Sequence, residues 1–314
     1  MHRKYSINFS LKIISFIFTC MFLASSVLAT PLQQHGALAI NNGQLVDSNN
    51  QAISLAGPSL FWSNTGWGAE QFYTKEVVDH ISQHWQAPII RAAMGADSKG
   101  SYLTDPKANL ARLETVIAAA IENGIYIIVD WHSHHAENNT QESIDFFQTI
   151  AKKYGHLNNI IYEIYNEPLQ NTDWHTVIKP YAEKVIAAIR KIDPDNIILV
   201  GSQSWSQDVD ISAKNRITGF TNIAYTLHFY AGTHKEELRE KAQKALDAGL
   251  ALFVSEWGSV SANGDGKVDY QETEKWLDFM RKNKLSHCSW SLSKKAESSA
   301  ILKPNAKIDS AWTD

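Results

Sequence analysis

The sequence predicts an α/β fold in which eight parallel strands close into a barrel with helices outside. Three observations predict it. Eight short apolar runs recur between residues 52 and 292: AISLAGPS, PIIRAAM, IYIIVDWH, IIYEIYNE, NIILVGSQ, IAYTLHFY, LALFVSEW and LSHCSWSL. Segments with helical spacing separate most of them, and parallel neighbours need such crossovers. Polar residues collect where the runs end: Arg91, His132, Asn166, Glu167, His228, Tyr230, Glu256 and Trp290. In a (β/α)8, or TIM, barrel that face carries the active site. A doubly wound sheet is the alternative, but no Gly-rich phosphate loop follows the first run.

The elements follow in order. Residues 1–29 carry Arg3, Lys4 and Lys12 and no acid, then an apolar core from Ile13 to Leu23, then Val27-Leu28-Ala29. This pattern is that of a secretory signal peptide, with cleavage leaving a catalytic domain of residues 30–314. Gly36 to Asp47 reads as a short N-terminal hairpin turning at Asn42-Gly43. Asp105 to Asn123 is the clearest helix, with Asp105 as N-cap, Pro106 as first helical residue and Gly124 as the stop. Gln141–Tyr154, Trp174–Ile192, Glu236–Ala248 and Gln271–Asn283 are further helices.

Composition narrows the class. Without the three leader cations, 29 basic against 33 acidic side chains becomes 26 against 33, a net charge of −7. A mildly acidic secreted domain is poorly suited to nucleic acid or anionic membrane. Cys288 is the one cysteine outside the leader, so no internal disulfide holds the fold. It reads as a buried, inert thiol, since nothing basic sits beside it.

Two carboxylates end apolar strands: Glu167 in YNEP and Glu256 in VSEWG. They lie on the fourth and seventh runs, which face one another across an eight-stranded barrel. A carboxyl pair flanking a glycosidic bond is the machinery of sugar hydrolysis, one protonated to help the leaving oxygen, the other ionised. The bland alternative is a pair of structural, ion-paired carboxylates.

At this point the chain resembles glycoside hydrolase family 5, most closely the bacterial-type endoglucanases of its second subfamily. The likeness rests on IIRAAMG, IVDWHSHHAE, IIYEIYNEP, TLHFYAGTH, FVSEWG and SWSLSKKAESSA, in that order. It implies a retaining endo-β-1,4-glucanase that needs no cofactor. It further implies Glu167 as general acid/base and Glu256 as nucleophile, with Arg91 and Tyr230 holding Glu256 ionised and oriented. His228 would tune Glu167, Asn166 would bond the sugar 2-hydroxyl, His132 would line the same subsite, and Trp290 would form a stacking floor. Lys295 and Glu297 match positions that bond sugars on the non-reducing side.

Trp67, Trp205 and Trp257 are further substrate-binding candidates, because sugar rings stack on aromatic faces; core packing is the competing use of each. No metal is expected. His132 to His135 (HSHH) has no acid or cysteine at useful spacing, and Asn263 to Asp269 lacks the alternating acids and closing Glu of a calcium loop. The expected partner is a β-1,4-glucan, soluble or amorphous, met by a monomer outside the cytoplasm, extracellular or periplasmic, with no nucleic acid and no membrane after leader removal. After LKPNAKIDSAWTD the relatives continue into an eighth helix, so that helix is expected to be missing from this chain, as in a truncated domain. A mannanase, a xylanase, a mixed-linkage glucanase and a non-catalytic carbohydrate-binding protein are the rival functions.

Overall fold

The computed structural model describes residues 29–306. The predicted signal peptide and the end of the chain lie almost wholly outside that range. A short helix α1 (Pro31–His35) leads into the predicted hairpin, β1 (Ala39–Asn41) and β2 (Gln44–Val46), paired antiparallel with Asn41 opposite Gln44. Asn42 and Gly43 both take positive φ, 49° and 73°, the left-handed pair that a two-residue hairpin turn requires.

The eight apolar runs become eight parallel strands of one closed barrel. They are β3 (Ala56–Leu60), β4 (Ile89–Gly95), β5 (Tyr126–His132), β6 (Ile160–Glu163), β7 (Ile198–Val200), β8 (Ile223–Tyr230), β9 (Leu252–Gly258) and β10 (His287–Leu292). Each pairs with its sequence neighbours, and β10 closes on β3. The crossovers carry α2 (Lys75–Gln83), α3 (Pro106–Asn123), α4 (Thr140–Tyr154), α5 (Lys179–Arg190), α6 (Gln203–Ser206), α7 (Val209–Lys214), α8 (Glu236–Asp247) and α9 (Tyr270–Lys282). Buried Ile, Val, Leu and Phe from strands and helices fill the layer between them.

The Asp105 carboxylate accepts from the Ala108 N–H at the start of α3, and Gly124 ends the helix at φ 62°. The predicted helix over 174–192 comes in two parts. Trp174–Ile178 is a π-turn closed by the Lys179 N–H on the Trp174 carbonyl, and α5 follows. Pro180 has no N–H for the ladder, which accounts for the change of register there.

One strand is irregular where it matters. Between Thr226 and His228 β8 advances two residues while its partner β9 advances three, Phe253 to Glu256. Against β10 the same holds, with His287 to Ser289 opposite Val254 to Trp257. A bulge adds one residue to β9 and re-aims its side chains.

Among the described residues no helix follows β10. A groove of about 510 Å³ lies open along the outer side of β3 and β10, lined by Ala56, Pro58, Trp85, Trp257, His287 and Ile301. Among the described residues no helix is long and apolar enough to cross a membrane.

Candidate active site

Arg91 is the centre of the barrel mouth. Its side chain, on β4, has no solvent exposure, and each of its nitrogens has a carboxyl or amide oxygen. Nε donates to Glu163 Oε2 at 2.7 Å, Nη1 to Glu256 Oε2 at 3.0 Å and Nη2 to Asn166 Oδ1 at 2.7 Å. Nη2 also lies 2.9 Å from Asp130 Oδ2. A buried cation needs such company, and its planar fork can serve several acceptors at once. Burial alone would lower the Arg91 pKa; the charges of Asp130, Glu163 and Glu256 outweigh it and raise it.

Glu256, on β9, is held from both sides. Arg91 takes one oxygen, and the Tyr230 hydroxyl donates to the other at 2.7 Å. Burial and the Glu256 charge push the Tyr230 hydroxyl well up, so it stays a donor. A cation and a hydrogen bond both favour the ionised carboxylate.

Glu167 sits four residues beyond the end of β6, where Pro168 stops the ladder. Its Oε1 lies 2.9 Å from His228 Nδ1, and its Oε2 lies 3.6 Å from His134 Nδ1. Burial pushes the Glu167 carboxyl up, but the hydrogen bond and charge of His228 outweigh that and hold it below its ordinary value. His228 moves the other way: burial opposes its charge, and the carboxylates of Glu163 and Glu167 raise it to about 9. The two groups thus shift in opposite directions and share one hydrogen bond, across which a proton can pass.

One ligand atom each from Glu167, His228 and Glu256 lie within 4.8 Å of one another. By distance alone that trio suits a cation. The same closeness puts a titratable imidazole one hydrogen bond from Glu167, an arrangement suited to passing a proton between them.

The floor is aromatic. The rings of Trp290 and His132 lie parallel, 5.2 Å between centroids and 3° apart, with Phe61 5.2 Å from Trp290. The cleft above holds two connected cavities. One of about 460 Å³ is lined by Trp205, Gln207, His234 and Asn263. The other, of about 340 Å³, is lined by Trp62, His132, Trp290, Lys295 and Glu297; both reach Glu167 and Glu256.

The family model for Cellulase (glycosyl hydrolase family 5) matches residues 46–296. The chain belongs to glycosyl hydrolase family 5. It is similar to Endoglucanase Z of Dickeya dadantii, 54% identical over 266 residues, or 85% of this chain and 62% of that relative. The chain thus spans less than two thirds of Endoglucanase Z. A solved structure from Cytophaga hutchinsonii is 46% identical with a TM-score of 0.86, over 88% of this chain and 89% of that one. The catalytic domain of Thermobifida fusca endoglucanase Cel5A, solved in complex with cellotetraose, is 31% identical with a TM-score of 0.82, over 87% and 90%.

In this family 5 chain Arg91, His132, Asn166, Glu167, His228, Tyr230, Glu256 and Trp290 all converge on the mouth, with Trp205, Lys295 and Glu297 on its walls. Trp67 is 44% exposed and lines an adjoining recess of about 250 Å³ with Phe61 and Lys295. Lys295 pairs with Glu297 and lies over the Phe61 ring. Trp257 is the exception. Its ring packs on Phe229 and its Nε1 donates to His287 Nδ1, on the outer side of the barrel. Phe229 packs in turn on Trp276 of α9, which sets the Trp257 ring among the outer helices. Trp257 is therefore no part of the cleft.

The sequence reading missed a buried layer beneath the pair. Glu163 takes Arg91 on one oxygen and the Ser255 hydroxyl on the other, 2.6 Å away. Asp130 holds the Nδ1 of His132 at 2.6 Å. Burial, resisted by Arg91 and aided by the Glu163 charge, pushes the Asp130 carboxyl well up. Arg91 and His228 overcome the same burial at Glu163 and bring it down to about 2. The signal was present: an acid inside an apolar barrel strand demands a buried cation.

The turn bearing Trp205 is also absent from any sequence pattern. Ser204, Trp205 and Ser206 take φ of 58°, 54° and 59°, a left-handed run that costs about 1–2 kcal/mol per residue. It is tied down at three points. The Ser204 N–H donates to the Leu169 carbonyl at 3.4 Å, and the Trp205 N–H to the Pro168 carbonyl at 2.7 Å. The Ser206 hydroxyl donates to the Asn166 carbonyl at 2.8 Å.

Proposed function

We propose that this chain is a retaining endo-β-1,4-glucanase in which Glu256 is the nucleophile and Glu167 the general acid/base. The observation that carries this reading is the approach of a Glu167 oxygen to within 4.8 Å of one from Glu256 across the barrel mouth. A pair this close leaves no room for a water behind the sugar, the spacing of direct attack and net retention. In the first step Glu256 bonds to the anomeric carbon while the glycosidic C–O bond breaks, and the leaving oxygen takes a proton from Glu167. In the second, water gives a proton to Glu167 as its oxygen displaces Glu256. Asn166 Nδ2 is a buried donor without a hydrogen-bond partner among the described residues, which supports reading it as the group that bonds the sugar 2-hydroxyl. Trp290 and His132 would lie beneath the ring in the next position, with Lys295, Glu297 and Trp67 farther along and Trp205 on the cleft wall.

The endo preference is supported by a cleft that runs past the carboxylates on both sides, lined by cavities of about 460 Å³ and about 340 Å³. A leader of the composition of residues 1–29 supports export from the cytoplasm. The test is proton NMR of a fresh digest of carboxymethyl cellulose or cello-oligosaccharide, read before mutarotation. The β-anomer is expected first. An α-anomer first would remove Glu256 as nucleophile, and hydrolysis of mannan or xylan in preference to β-1,4-glucan would move the substrate class.

A further inference from the structure

The two ring nitrogens of His228 have different tasks. Nδ1 faces Glu167 Oε1 at 2.9 Å, and Nε2 faces Ser255 Oγ at 2.9 Å. A serine hydroxyl has one hydrogen. Ser255 spends it on Glu163 Oε1 at 2.6 Å, because Glu163, with Arg91 on its other oxygen, is a carboxylate with nothing to donate. The Ser255 oxygen is then only an acceptor toward the imidazole, and Nε2 must carry a hydrogen. The bulge in β9 makes this possible, since it brings the Ser255 hydroxyl and the Glu256 carboxylate to the same interior. All three members are buried.

We propose that Ser255 and Glu163 are positioning residues that lock Nε2 of His228 as a donor, so that Nδ1 alone exchanges a proton with Glu167. The proposal rests on the reading of Glu167 as acid/base. The His228–Glu167 pair, with one proton between its members, is then the unit that serves the leaving oxygen. When the glycosidic C–O bond breaks, the shared proton crosses from Nδ1 to Glu167 over the 2.9 Å bond and passes to the leaving oxygen, which leaves Nδ1 bare and Nε2 protonated. The pair has then lost one proton, and the attacking water restores it. The groups that face His228 agree with this direction. Glu163 and Glu167 approach from β6 and the segment after it, and Glu256 from β9, all raising its affinity for a proton. Arg91 and Asp130 lie behind Glu163, which separates the guanidinium from the imidazole. Tyr230, two residues along on β8, is committed to Glu256.

The test is the ¹⁵N spectrum of the histidine rings in the intact protein, followed with pH beside kcat/KM on a cello-oligosaccharide. In the wild type, Nδ1 of His228 should lose its proton near pH 9 while Nε2 keeps its own. Ser255→Ala removes one oxygen and keeps the strand. Its neutral ring should also populate the Nδ1–H form. Its ring pKa and the basic limb of kcat/KM should fall together by about one pH unit, the scale of one charge-assisted hydrogen bond. Glu163→Gln should move both in the same direction. A wild-type ring that ends as Nδ1–H, or a Ser255→Ala protein with ring shifts and basic limb unmoved, overturns the lock. A wild type that hydrolyses no β-glucan overturns the catalytic reading instead, and the ring spectrum still decides the lock.

Discussion

The Tyr230 hydroxyl donates to Glu256 Oε1 at 2.7 Å, while Arg91 occupies the other oxygen of the same carboxylate. With Glu256 as the proposed nucleophile, the two donors would set the plane in which it meets the anomeric carbon. Tyr230→Phe removes one donor and leaves the ring. A hydrogen bond to a charged group contributes roughly 1.5–3 kcal/mol, so kcat should fall about 10- to 100-fold. Steady-state kinetics at fixed pH check it, and an unchanged kcat would assign the orientation of Glu256 to Arg91 alone.

Glu167→Gln should fold as the wild type does and lose about 10²- to 10⁴-fold in rate on substrates whose leaving oxygen needs a proton. An aryl glycoside with an activated leaving group needs none and should retain most of its first-step rate. Burst kinetics on the two substrate types separate the cases. Equal first-step losses on both would count against the acid role.

Four histidines, His132 and His228 buried and His234 and His287 half-buried, predict where the fold is most stable. His132, His234 and His287 are pushed down by burial, from 6.5 to about 3, 4 and 4. The unfolded chain takes up protons there first, so stability falls as pH drops below 6.5. His228 is raised to about 9, so its contribution is complete below 6.5 and is lost as pH climbs through 9. The melting temperature should therefore peak near pH 6.5, with the steeper fall on the acid side, where three groups act against one. Thermal melts from pH 4 to 9 test this; a maximum at either end of that range would contradict it.

Gly124→Ala tests the fold away from the site. Gly124 ends α3 at φ 62°, and a Cβ there would meet Thr30 Oγ1 at 2.5 Å. The substitution should cost about 1–2 kcal/mol of unfolding free energy, or more if Thr30 cannot move. Denaturant titration measures the loss, and activity under folding conditions should be unchanged.

Much of this was legible in the sequence because strand ends in a barrel must meet. Eight apolar runs place Arg91, Glu167, His228 and Glu256 on one rim before any distance is known. Asn42-Gly43 and Asp105-Pro106 specify their turn and cap by local chemistry alone. Register and bulges were not legible. Glu163 reads as a lone acid in IIYEIYNE until pairing sets Asp130 beside it and Arg91 two strands away. The extra residue in β9 has no local signature, so the inward course of Ser255 stayed hidden. Trp257 was assigned to the cleft on residue type, and its packing against Phe229 on the outer side was equally hidden.

The left-handed turn at Ser204 to Ser206 has a consequence for how such a cleft can change. The turn that carries Trp205 on the cleft wall and the main chain that carries Glu167 are fastened by three hydrogen bonds across Asn166, Pro168 and Leu169. They form one mechanical part. A loop grafted in place of 202–207 to accept a different leaving sugar would cut these ties, and the acid would lose its mounting along with the old preference. Exchange of specificity on that side therefore requires residues 166–169 and 202–207 to travel as a cassette.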